Sequence, residues 1–141
     1  MIKEYLINIK SIPVNSIVSI LGTLTVQLFG NFDTPLQILI VFMSLDVITG
    51  TMQAFVNKEL NSSFGKGLFK KAGVLICVVV GVQLDNLTGQ AGVFRSMICL
   101  FFVSNEGISI LENLGKLGVT YPAFLQNALE QLQKGKEDES H

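Results

Sequence analysis

The sequence predicts an all-α integral membrane protein: an up-down bundle of about four transmembrane helices followed by a C-terminal amphipathic helix. Three observations carry this expectation. Only 15% of the 141 residues are charged, against roughly 25% in soluble domains. Mean hydropathy is high, at +0.52. Four apolar stretches, residues 12–30, 36–56, 72–88 and 93–111, approach the roughly 17–25 residues with which a helix crosses the hydrocarbon. The predicted transmembrane domain covers residues 1–118, a cytoplasmic helix covers 119–134, and residues 135–141 form a charged, disordered tail.

The same composition excludes several classes. A net charge of -1 offers no field to draw in nucleic acid. Cys77 and Cys99 sit inside apolar runs without metal or redox spacing, and the single histidine is the last residue, His141. No metal site, cofactor or catalytic triad is expected, and the chain does not read as an enzyme.

The first span is the most polar. Ser16, Ser19, Thr23, Gln27 and Gly30 share one face at 100° per residue. A cleaved signal peptide is the weaker alternative, because residues 1–5 are not strongly basic and no small-residue cleavage site follows. Breakers then follow at residues 30–35, and the second span places Asp46, Thr49, Gly50, Gln53 and Asn57 on one face.

The segment 57–71 carries Lys58, Lys66, Lys70 and Lys71 with two glycines. Its spacing fails the phosphate-loop pattern, so it is expected to be a basic loop touching anionic lipid. The third span is the shortest, with Lys70 and Lys71 expected to reach out to the headgroups. Within it Gly73, Cys77 and Gly81 recur every fourth residue as a small-residue packing ridge that ends at Asp85. In the fourth span Arg95, Asn105, Glu106, Ser109, Glu112, Asn113 and Lys116 fall within an arc of roughly 120°.

Basic residues fix the expected orientation. Lys3 and Lys10, the 57–71 lysines, and Lys116, Lys134 and Lys136 all belong to one side, whereas the 31–35 and 86–92 loops hold none. By the positive-inside rule both termini are cytoplasmic. After the fourth span Tyr121, Phe124, Leu125, Ala128, Leu129 and Leu132 follow helical spacing behind Pro122, an amphipathic helix expected on the inner membrane surface or paired with its own copies.

An ionisable group at the centre of a span costs about 2.5–3.5 kcal/mol on insertion scales, so Asp46 and Glu106 need partners, water or protonation. Two readings stay open for the polar set Asp46, Thr49, Gln53, Asp85, Asn105, Glu106, Ser109 and Glu112. They bond helix to helix within one protomer, or they meet across subunits and line a water-filled passage.

The residues Asp46 with Thr49-Gly50, the run Ser62-Ser63-Phe64-Gly65-Lys66-Gly67-Leu68-Phe69-Lys70-Lys71, Leu84-Asp85, and above all Asn105-Glu106-Gly107-Ile108-Ser109-Ile110-Leu111-Glu112-Asn113 with Gly118 and Pro122 together resemble the phage holin family of the toxin-secretion and phage-lysis type. The resemblance covers most of the chain from Asp46 to Pro122. It implies a homo-oligomer in the bacterial cytoplasmic membrane that opens lesions at a set time, through which an endolysin or a large exported toxin crosses. Two other functions fit the residues alone. A small channel or transporter would also carry carboxylates on interior faces, and a membrane anchor would make the tail helix its active part.

Overall fold

The computed structural model describes residues 1–3, 13–58 and 63–134. The predicted tail at 135–141 and part of the basic segment, 59–62, lie outside the described residues. Five helices carry the described fold: α1 Val14–Phe29, α2 Thr34–Val56, α3 Ser63–Thr88, α4 Val93–Lys116 and α5 Ala123–Lys134. The chain divides into one unit ending at Asn31 and a second beginning at Phe32.

α1 forms the first unit. Pro13 sits at its N-cap and Gly30, with φ of 73°, ends it, so the helix stops at 16 residues. At 1.5 Å per residue that is about 24 Å, short of the roughly 30 Å of a hydrocarbon layer. The helix over the expected span 12–30 is therefore shorter than expected, and among the described residues three helices are long and apolar enough to cross a membrane by length and composition alone. Three hydroxyls of α1 are satisfied within the helix. Ser19, Thr23 and Thr25 donate to the carbonyls four residues back, each at 2.8 Å, which removes much of the cost of a polar side chain in an apolar solvent.

The second unit runs up, down and up through α2, α3 and α4. Asp33 caps α2 by accepting from the Leu36 N–H, and Pro35 occupies the first turn, where its missing donor costs nothing. α3 begins at Ser63 rather than at 72 and has 26 residues. The expected shortness of the third span is thus corrected. Gly65 and Gly67 are tolerated inside the helix, and no proline interrupts the run to Lys71. A tight turn follows, with Gly89 and Gly92 at φ of 69° and 84°, in a region that L side chains avoid. α4 continues past the expected end at 111 to Lys116.

α4 is the hub: it packs against α2, α3 and α5, whereas α2 and α3 scarcely touch each other. The core is accordingly a set of stripes facing α4, made of Leu36, Leu39 and Met43 from α2, Val74, Val78 and Val82 from α3, and Cys99, Val103 and Leu111 from α4 itself. Outside, the chemistry is inverted relative to a soluble bundle. Ile40, Val41, Ile48, Ile76, Val80 and Leu100 are exposed, while Thr49, Asp85, Arg95, Ser104 and Glu106 are buried. A continuous apolar exterior is what lipid requires.

Candidate functional site

Each of the three long helices brings one ionisable side chain to a common point, Asp46 and Glu106 from near the middle of α2 and α4 and Lys71 from the first third of α3. Lys71 on α3 donates its Nζ to Asp46 Oδ2 on α2 at 2.7 Å and to Glu106 Oε2 on α4. The side chains are well shielded, with Glu106 only 5% exposed. The second oxygen of Asp46 accepts from Asn113 Nδ2 at 3.3 Å, and the same amide donates to Thr49 Oγ1 at 3.2 Å. Thr49 in turn donates to the Leu45 carbonyl at 2.9 Å. Among the described residues no buried side-chain nitrogen or oxygen lacks a hydrogen-bond partner, as a polar cluster in a low dielectric demands.

The charges do not balance. With all three groups ionised, one ammonium faces two carboxylates, leaving one net negative charge between three helices. Removing a single partner from such a set leaves charge buried without compensation. The arrangement can therefore do two things: hold the helices in one register, and respond strongly when a helix moves or the surroundings fill with water.

A second cluster lies where α3 ends and α2 and α4 begin. Asp85, near the end of α3, accepts from the Phe94 N–H at 2.9 Å and the Arg95 N–H at 3.0 Å. These are first-turn donors of α4, which have no partner within their own helix. The guanidinium of Arg95 reaches across to the carboxylate of Asp33, so the cap of α2 and the start of α4 are tied together. Replacing Asp85 by Ala is expected to remove about 0.5–2 kcal/mol from the α3–α4 hairpin, the usual worth of a side-chain cap. A lower midpoint in a denaturant titration of the detergent-solubilised chain, with Asn86→Ala unchanged, checks this.

The expected site residues thus separate into groups. Asp46, Thr49, Glu106 and Lys71 form the central network. Asp85 is a helix cap. Asn105 bonds to Gln133 of α5, whose Nε2 lies 2.7 Å from Asn105 Oδ1. Gln53 and Ser109 are half-buried, and Glu112 is exposed, as is Lys116. Of the small-residue ridge, Gly81 makes the close approach: a Cβ there would come within 3.0 Å of the Arg95 Cα. A Cβ at Gly73 would meet open space, and Cys77 is exposed.

Lys58, Lys66 and Lys70 are exposed. Lys58 lies just past α2, and Lys66, Lys70 and Lys71 all lie on α3 rather than in a loop. Lys71 points inward, away from the lipid contact expected of it. Its signal was present in the sequence: Lys71, Val74, Val78, Val82 and Asp85 fall on one helical face.

The profile of the bacteriophage holin family matches residues 14–134. An uncharacterised protein of Clostridium perfringens is 46% identical over 114 residues, 79% of this chain and 84% of that one. An uncharacterised 14.9 kDa protein of the same organism, from the 3′ region of nagH, is 45% identical over 82% of this chain and 89% of its own. A probable holin of Bacillus phage phi105 is 32% identical over 74% of this chain and 78% of its own. No solved structure matches.

Proposed function

Because this chain belongs to the bacteriophage holin family, we propose that it gathers as homo-oligomers in a bacterial cytoplasmic membrane and opens lesions wide enough for an endolysin, or a large exported toxin, to cross. The observation that carries this is the Asp46–Lys71–Glu106 network enclosed between three apolar helices. Within one protomer it is satisfied. When protomers crowd and helices shift, the same groups are the ones that a water-filled opening would accept and lipid would not. The network is then a latch between a packed state and a hydrated one. Membrane potential acts on it directly, since moving one elementary charge through 100 mV is worth about 2.3 kcal/mol.

Orientation belongs to the same proposal. Both termini and the α2–α3 connection face the cytoplasm, and α1 crosses as a fourth, short span with the bilayer thinning to match its length. A cysteine at Asn31 or Gln90 is expected to react with an impermeant thiol reagent added to intact cells before lysis, and one at Lys58 is not. Labelling at Lys58 would overturn this orientation.

The function itself is tested by inducible expression in a bacterial host, following membrane potential and release of a folded cytoplasmic enzyme together. A delayed, abrupt loss of potential accompanied by enzyme release is the expected result. Loss of potential without release would instead indicate a small channel, and a retained potential at adequate membrane levels would indicate an anchor.

A further inference from the structure

α5 and the ionic network meet on the same stretch of α4. The chain doubles back after α4 and runs antiparallel to it: a Cβ at Gly115 would lie 4.0 Å from the Tyr121 ring, one at Gly107 would come within 2.8 Å of both Leu129 methyls, and Gln133 bonds to Asn105. The Cβ at Gly107 would also lie 3.1 Å from the Phe42 ring of α2. Leu129, Gly107 and Phe42 therefore form a junction of three helices, α5, α4 and α2, in the space that the missing side chain of Gly107 leaves free.

Gly107 directly follows Glu106, and Phe42 lies about one turn before Asp46. The junction thus holds α2 against α4 beside the point where their two carboxylates converge on Lys71. Because α2 and α3 scarcely touch each other, the register of Asp46 at the network is set through α4, and α5 presses on that seam. Its grip is partial. Leu129 and Gln133 are half-buried, whereas Phe124, Leu125 and Leu132 of the same helix are exposed. A helix held along one edge, with much of its apolar face unburied, parts from the bundle at lower cost than the long helices part from one another.

We propose that α5 is a clamp on the packed state: seated on Gly107 it keeps Phe42 and Asp46 of α2 in register with Glu106, and its departure from α4 precedes the helix shift that hydrates the network. This rests on the lesion-forming reading and adds to it the element that delays opening. Weakening the Leu129 contact takes support from the packed state without altering any ionised group, so the effect falls on timing.

The test uses the full chain under inducible expression, with membrane potential, enzyme release and membrane content followed together. Leu129→Ala is expected to shorten the delay before depolarisation several-fold at equal membrane levels. Leu132→Ala, which trims the same kind of side chain from the exposed edge of the same helix, should leave the delay unchanged. An unchanged delay in Leu129→Ala, or equal shortening by both, would overturn the clamp. Docking itself is read in a chain with Cys77→Ala and Cys99→Ala that carries Asn105→Cys and Gln133→Cys, a pair that leaves Leu129, Gly107 and Phe42 in place. With a short, membrane-permeant bifunctional thiol reagent, intramolecular cross-linking is expected to be high before depolarisation and to fall several-fold as the potential is lost. A low yield beforehand, or a yield that persists through depolarisation and enzyme release, would overturn the clamp and leave the lesion reading standing. Absence of depolarisation by the unmodified chain at adequate membrane levels would overturn the lesion reading, and the clamp with it.

Discussion

Replacing Lys71 by Met is expected to advance loss of membrane potential sharply and to lower the amount of chain that accumulates before it. Among the described residues its ammonium is the cation that pairs with both Asp46 and Glu106. Without it two carboxylates from two helices remain buried together, and breaking a buried ion pair from one side costs about 3–5 kcal/mol. That is a large share of the stability of a small bundle. The packed state loses this amount, whereas a hydrated state, in which water solvates both carboxylates, loses little. The balance therefore moves toward opening. The charge-free chain, Asp46→Asn with Lys71→Met and Glu106→Gln, is expected to behave in the opposite way. It should accumulate to the unmodified level and open late or not at all, because nothing in it favours the hydrated state. Membrane content by immunoblot, together with the time of depolarisation, separates the two. Unmodified timing and accumulation in Lys71→Met would show that the network is mechanically inert.

The second large effect is expected at Gly81. A Cβ there would lie 3.0 Å and 3.2 Å from the Cα and amide nitrogen of Arg95, and backbone atoms cannot rotate out of the way as side-chain termini can. Overpacking of this kind costs about 1–3 kcal/mol. Gly81→Leu adds to this by pushing α3 away from the start of α4, so that Asp85 can no longer hold the Phe94 and Arg95 N–H groups. Loss of the compact form in detergent, seen as rapid proteolysis between α3 and α4, is the expected result. Gly73→Leu, made eight residues earlier where a Cβ meets open space, should leave digestion unchanged. Equal sensitivity of the two variants would mean that the helices are not held at Gly81.

The contrast between Gly73 and Gly81 also explains where sequence reasoning succeeded and failed. Apolar length and breakers locate α2 and the start of α4 well, because Asp33-Thr34-Pro35 is a local signal that the chain obeys locally. The row Gly73, Cys77, Gly81, Asp85 is spaced by four residues, while the helix turns in 3.6. Each step therefore drifts by about 40°, and the row begins on the outer surface and ends in the core. The buried stripe is the neighbouring one, through Val74, Val78 and Val82, and Lys71 extends it. Assigning the 57–71 lysines as a block hid this, since a run of like charges suggests a surface, whereas one member lies on the inner face. Asp46 and Glu106 were legible as groups in need of partners. Which cation answers them depends on the packing of three helices, and no spacing within any one helix encodes it. The docking of α5 was illegible for a similar reason: amphipathicity announces that a helix has an apolar face, and Gly107 reveals the receiving surface only once Phe42 and Leu129 are in place.

The central position of α4 bears on the order in which the chain can be built. α2 and α3 leave the ribosome before α4 and scarcely touch each other in the finished fold. At that stage Asp46 and Lys71 are one anion and one cation, so the two helices can enter the bilayer together as an electrically neutral hairpin. Glu106 arrives later, on the helix that supplies nearly all of their packing. The excess negative charge is thus added at the same step as the contacts that hold it, and an unfinished chain contains neither the bundle nor its latch.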